Sequence, residues 1–368
     1  MKVLFVTVDG GGNVPPQLGV ARALRTRGAE VVFLGHPGLR ERVEQAGFAF
    51  EQFSTGRNFD PLQRRSQLRM IRDFSNVMID RGIGFDAIAV ARRERVDLVV
   101  ADTIVAGGIE RLLAAGVPTV TLVHCFYGAM QDMAASPVGL KLRLHGLNLL
   151  GVERGAAVQL VTARASLDPA RGPLDGIRHT GVVWQGVPVP SIPQPVPQVL
   201  VSLSTNAFAG QHQTLQSVLD AVADLPIEVI ATAGPALEVA TLRIPANTRV
   251  HQWLDHDQVL ATTSLVIGHG GHSTTMRALS FGVPVLVLPS TNFADQRAVG
   301  SALANAGAGM VMSRRAKIQA IQAAVQRMLE ESRFREAAQV IGADIRRRDG
   351  AEEAADAIEE VVRARTAA

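Results

Sequence analysis

The feature that most constrains this chain is a pattern that stops and then starts again. Val3–Val8 is a short, continuous, β-rich apolar run. It is cut off by Asp9-Gly10-Gly11-Gly12 and followed by a helical pattern over Gln17–Arg27 that ends at Gly28. Strand-like and helical runs alternate from there: Val31–Leu34, a helix around Gly38–Ala46, Phe48–Gln52, Asp97–Ala101, Ile104–Ala115, Val117–Val123 and Val158–Val161. Arg57–Arg95 is polar and reads as inserted helices and loops. Five prolines at 188, 190, 193, 195 and 197 then forbid a helix and stiffen the chain over Gly186–Gln198. The grammar restarts at Val199–Ser204 and continues through Glu228–Thr232, Arg249–His251, Leu265–Gly268 and Val283–Leu288 to a last short strand ending at Val311. Buried strands alternating with helices mean parallel βαβ units covered on both faces. The expected fold is α/β, with two Rossmann-like domains facing across a cleft. The expected division is 1–185, a proline-rich linker at 186–198, and 199–368, with the last helix packing back on the first domain. Glu336–Arg363 reads as one charged helical stretch.

With 368 residues the chain exceeds one ordinary core, which agrees with two domains. A formal charge of +3 and 4% aromatic residues give no basic, stacking surface for nucleic acid. One cysteine excludes an intramolecular disulfide framework and fits a reducing cytoplasm. No apolar run reaches the ~20 residues a membrane span needs, and Val3–Val8 is too short for a signal sequence. In 137–151, six leucines alternate with Lys141, Arg143 and His145. Such a stretch suits an anionic membrane surface, the wall of an apolar acceptor pocket, or a helix packed on the sheet.

In open α/β sheets, ligands bind beyond the carboxyl ends of the strands. The densest candidate there is Leu265-Val266-Ile267-Gly268-His269-Gly270-Gly271-His272-Ser273-Thr274. A strand runs into a glycine turn and a helix start. Glycine permits close backbone approach, and the helix supplies unpaired N–H groups and partial positive charge. His269 adds a donor. The set forms an anion site, most naturally for a diphosphate, although a glycine turn alone is also an ordinary capped turn. Asp295-Gln296 follows the next strand. A carboxylate beside an amide suits neighbouring sugar hydroxyls, and Asp is equally a helix cap. Trp253 is one of two tryptophans and follows a strand. An indole there either stacks on a base or fills the core.

Trp253, the His269-Gly270-Gly271 turn, Ser273-Thr274 and Asp295-Gln296, in this order and spacing, resemble the donor site of GT-B nucleotide-sugar glycosyltransferases. The natural-product and UDP-glycosyltransferase family is the nearest likeness. The resemblance implies a metal-independent, inverting transferase with no cofactor beyond its nucleotide-sugar co-substrate, UDP- or dTDP-linked. The acceptor would be small and hydrophobic or aromatic. It implies that His269, Ser273 and Thr274 contact the diphosphate, that Trp253 stacks on the base, and that Asp295 and Gln296 hold the sugar. Ser204 and Thr205 match a further phosphate-contacting position. A homodimer is left open.

The chain departs from the family at three places. Asp255-His256 replaces a proline-containing pair after the tryptophan segment. Arg277 stands where the family often has a ribose-binding Glu. Asn13 stands where it has the His that deprotonates the acceptor, and an amide cannot act as a general base. The carboxylate partner of that His survives as Asp102. The base is then Asp102 or Asp9 directly, or His124 or Asp132, or the acceptor is acidic enough to need little help. A nucleotide-sugar epimerase on the same fold and a non-catalytic donor-binding relative are the alternatives. G-x-G-x-x-G is absent after the first strand, so NAD binding is not expected. Asp255-His256-Asp257 matches a metal-binding D-x-D pattern of another transferase fold, and no metal is expected there.

Overall fold

The structure is a computed structural model. It describes all residues except Gln185, Thr205, 292–294 and Ala368, and the side chain of Glu153. Thr205, expected at the phosphate site, lies outside the described residues.

The first unit comprises Met1–Pro61, Leu68–Gln185 and Arg348–Ala368. Its strands are β1 (Lys2–Thr7), β2 (Glu30–Gly35), β3 (Ala49–Gln52), β4 (Leu98–Asp102), β5 (Thr119–Val123), β6 (Gln159–Val161) and β7 (Ile177–His179). Its helices are α1 (Val14–Thr26), α2 (Arg40–Gln45), α3 (Gln67–Met78), α4 (Gly82–Glu94), α5 (Ala106–Ala114), α6 (Tyr127–Ala135), α7 (Pro137–Leu144) and α8 (Leu149–Arg154). The sheet runs β3-β2-β1-β4-β5-β6-β7, and every pairing is parallel. Both faces of β1 and β4 are buried, which explains their unbroken apolar sequences. Phe5 stacks on Phe33 at 5.0 Å between ring centres, and Phe48 follows at 5.4 Å.

The second unit comprises Leu62–Gln67 and Gly186–Arg347. Its strands are β8 (Gln198–Ser202), β9 (Glu228–Thr232), β10 (Thr248–His251), β11 (Thr263–Gly268), β12 (Val285–Val287) and β13 (Gly309–Val311). Its helices are α9 (Gln211–Val222), α10 (Asp257–Leu260), α11 (His272–Ser280), α12 (Gln296–Asn305), α13 (Ile318–Glu330) and α14 (Ser332–Arg346). Strand order is β10-β9-β8-β11-β12-β13, again all parallel. The chain therefore doubles back at the same place in both sheets, between β1 and β4 and between β8 and β11. That switch point is where an open α/β sheet leaves room for a ligand.

Two expectations need correction. The proline-rich segment is not a free linker, because it is stitched to the second unit. Ser191 donates its N–H to the Phe281 carbonyl at 2.7 Å and its hydroxyl to that of Thr263 at 2.6 Å, and Ile192 donates to Ala261. The helical stretch over 336–363 is two helices, not one. It breaks after Arg346, and Asp349 restarts it by accepting from the Ala351 N–H at 2.9 Å, which begins α15 (Gly350–Thr366). The last helix, α15, is part of the first unit. Its small-residue face, Ala351, Ala354, Ala355 and Ala357 with Ile358, is buried in that core against α1. Arg27, just past the end of α1, pairs with Glu352 and Asp356 at the rim.

Candidate functional site

At the first switch point, Asn13 precedes α1 and Asp102 ends β4. The sheet order places them side by side, and Asn13 Nδ2 donates to Asp102 Oδ2 at 2.6 Å. The same amide donates to the Val8 carbonyl, while its oxygen accepts from the Gly10 N–H at 3.0 Å. Gln17, one turn along α1, also donates to Asp102 Oδ2 at 2.6 Å and to Thr7 Oγ1 at 2.7 Å. The other carboxylate oxygen accepts from the Ile104 N–H at 2.8 Å. Both oxygens are thus occupied, and Asp102 is 1% exposed. Beyond it, at the end of β5, His124 brings Nδ1 to 3.4 Å from Asp102 Oδ1, with its side chain 19% exposed. Sequence reasoning missed Gln17. A glutamine one helical turn from Asn13 was the available signal.

Asp9 sits in the same loop. Burial raises its carboxyl above the usual range, against the pull of the Gly11 N–H and Arg42. Its own N–H donates to His36 Nδ1 at 3.3 Å, and His36 Nε2 lies 2.9 Å from the Arg57 carbonyl. Asp132 is placed differently: on α6 it pairs with Arg171 at 2.5 Å and its side chain is 59% exposed.

At the second switch point, β11 delivers the glycine turn. Gly270 has φ +83°, and a Cβ there would meet Val287 Cγ1 at 2.6 Å and the Gln296 carbonyl oxygen at 2.7 Å. Only glycine fits, and the contact sets the turn against the Asp295-Gln296 segment. His269 folds over Gly271, with Nε2 2.5 Å from where a Cβ would stand. Phe208, unforeseen from sequence, lies 6.3 Å from the His269 ring. Gly271 precedes α11 without a side-chain cap, so the helix start beside Ser273 and Thr274 keeps its backbone donors for a ligand. Ser204 follows β8. Its hydroxyl accepts from the Asn206 N–H at 2.9 Å. Asp295 does not cap α12. The buried Gln296 turns Oε1 inward to accept from Ser290 and Thr291 N–H groups at 2.7 and 3.2 Å. Those bonds shape the loop.

Trp253 is 72% exposed, which rejects its reading as a core residue. It follows β10, three strands from β11, a span of ~14 Å at ~4.8 Å per strand. The Asp255 and Asp257 carboxylates do not converge on an open position but hold Arg277, at 2.9 and 2.5 Å.

Burial lowers His36, His256 and His269 each to about 4, reinforced at His256 by Arg277 and opposed at His269 by the Ser202 carbonyl. All three are neutral in the fold and titrate near 6.5 when unfolded. Their depressed values mean that stability is present above pH ~6.5 and is lost as pH falls towards 4, because the unfolded chain then binds more protons. The melting temperature should fall across that window, and His36→Phe should flatten part of the fall. An unchanged melting temperature from pH 7 to 4 would refute this.

Residues 216–361 match the EryCIII-like C-terminal domain family (erythromycin biosynthesis protein CIII-like), and residues 3–109 match the glycosyltransferase family 28 N-terminal domain. The elloramycin glycosyltransferase ElmGT of Streptomyces olivaceus is 30% identical over 341 residues, covering 84% of this chain and 85% of that protein. A PGL/p-HBAD biosynthesis glycosyltransferase of Mycobacterium tuberculosis (strain ATCC 25618 / H37Rv) is 36% identical over 149 residues. That match covers 40% of this chain and spans only 33% of the relative's length. The solved structure of the spinosyn rhamnosyltransferase SpnG complexed with thymidine diphosphate shares the fold, with a TM-score of 0.74 at 19% identity over 98% of this chain and all of that one. Two all-parallel α/β units, a glycine turn feeding an uncapped helix, and likeness to ElmGT over most of both chains place this protein: it belongs to the GT-B natural-product glycosyltransferase family.

Proposed function

We propose that the chain transfers a sugar from a nucleoside-diphosphate donor, held at the second switch point, to a small apolar or aromatic acceptor deprotonated at the first. The observation that carries this reading is the pairing of an exposed Trp253 with an uncapped, glycine-led α11 on one sheet. The acceptor oxygen attacks the anomeric carbon and inverts it. The bond from that carbon to the diphosphate breaks, and the acceptor's proton passes to Nε2 of His124. Asp102 is 1% exposed and already accepts three protein N–H groups, whereas His124 is partly open, with its Nδ1 3.4 Å from Asp102 Oδ1. The leaving diphosphate is stabilised by the α11 donors with Ser273 and Thr274. Because Arg277 takes up both carboxylates of the D-x-D pattern, the reading draws on no metal there. Arg277 also accepts no ribose hydroxyl. That favours deoxythymidine diphosphate, which presents one hydroxyl fewer, over uridine diphosphate.

Melting curves with deoxythymidine, uridine, guanosine and adenosine diphosphates test the donor half. A ligand at ~100 times its dissociation constant adds about 2.7 kcal/mol, a shift of several degrees. Trp253→Ala should leave the unliganded curve within about 0.5 kcal/mol, since the side chain is exposed. It should weaken diphosphate binding by about 1–3 kcal/mol. If no nucleotide moves the curve, the glycine turn is structural and the proposal falls. Binding without product over a broad acceptor panel would instead support a non-catalytic relative.

A further inference from the structure

We propose that the outer face formed by α3 and α7 docks on the surface of an anionic lipid bilayer. The proposal does not depend on the transfer reading. Lys141 of α7 joins the two helices, reaching Ser75 Oγ at 2.8 Å and Asn76 Oδ1 at 2.6 Å on α3. Leu68, Arg72, Ser75 and Asn76 recur at helical spacing on one stripe of α3. Leu68 therefore extends the surface that Lys141 meets, about 10 Å along the axis at 1.5 Å per residue. On α7, Leu140 and Leu144 lie one turn apart on either side of Lys141. Leu68, Leu144 and Leu140 are 81%, 78% and 52% exposed. Single exposed leucines are ordinary, but three on adjoining helices form a patch.

Charge says what covers it. On α3, Arg69 and Arg72 precede Asp73 with no acid before them. Between Asp132 and Glu153 stand Lys141 and Arg143, again with no acid. In a chain of net charge +3 this is a local concentration of cations around exposed leucines. The side chains of Arg69 and Arg72 are 60% and 63% exposed, and both pair with Asp73. Apolar side chains ringed by Arg and Lys fit the boundary between acyl chains and anionic headgroups, where the leucines enter and the cations stay with phosphate. Among the described residues no helix is long and apolar enough to cross a membrane, so contact of this kind is peripheral.

The test is co-sedimentation of the full chain with phosphatidylcholine vesicles, with and without phosphatidylglycerol. Binding is expected only with phosphatidylglycerol. It should be lost between about 0.1 M and about 1 M salt, as the screening length shrinks from ~10 Å to ~3 Å. Leu68→Glu with Leu144→Glu should lower vesicle binding at least ten-fold, while the melting curve and its shift by deoxythymidine diphosphate stay as in the parent. Equal binding to both vesicle types, or binding that survives the double substitution, overturns the proposal. So does failure to bind when the same substitutions raise the acceptor KM, which would make the face a pocket wall, or change the sedimentation mass, which would make it a contact between copies.

Discussion

Replacing His124 by Gln should lower kcat by about two to four orders of magnitude, the range over which a positioned general base contributes. The dissociation constant for deoxythymidine diphosphate should not move, because the proposed diphosphate site is built from the other unit. A relocated base makes a further demand. In Asn13→His/His124→Gln, an imidazole stands where an amide now meets Asp102 Oδ2 at 2.6 Å, and part of the lost rate should return. If His124→Gln turns over like the parent, the base lies elsewhere. If the double variant recovers nothing while donor binding is intact, Asp102 does not orient a base at either position.

Asp102→Asn should destabilise the first unit as well as slow the reaction. The carboxylate accepts on both oxygens: two side-chain amides at Oδ2 and the Ile104 N–H at Oδ1. An asparagine has one acceptor oxygen. Facing it towards Asn13 and Gln17 sets its NH2 against Ile104, and the reverse sets it against two amides. Either way a buried donor meets a donor, at about 1–3 kcal/mol for each group left unsatisfied. A urea titration should show the first unit's transition moved to lower denaturant and the second unit's unchanged. Deoxythymidine diphosphate should still stabilise the second unit. A first transition within about 0.5 kcal/mol of the parent would mean the network relaxes around the amide, and the account of Asp102 as a fully engaged acceptor would be wrong.

The alternation of apolar runs, glycine stops and helical patterns was sufficient to read two parallel α/β units. Periodicity and turn chemistry are local, so one sequence carries them. The same holds for the donor constellation. His269, Gly270, Gly271, Ser273 and Thr274 are contiguous on a strand–turn–helix, and the helix start supplies the chemistry without help from afar. What sequence could not rank was anything set by neighbours across the sheet. Asn13, Gln17, Asp102 and His124 stand on three segments, and only the order β1-β4-β5 brings them together. The sequence marked Asn13 as a missing base and left four residues as candidates. Tertiary structure separated them by filling both oxygens of Asp102, tying Asp132 to Arg171, and leaving His124 beside the carboxylate. Arg277 and the Asp255–Asp257 pair lie twenty residues apart and read as unrelated departures until their ion pairs are seen. Burial decided Trp253, because a tryptophan's sequence neighbourhood does not report its solvent exposure. The last helix was assigned the same way: its alanine face is legible as a buried stripe, but which core it closes depends on the path of a chain that crosses between units. Local sequence determined the elements and the donor turn. Long-range packing alone decided which side chains meet, because contact between distant segments is a property of sheet order and burial rather than of spacing.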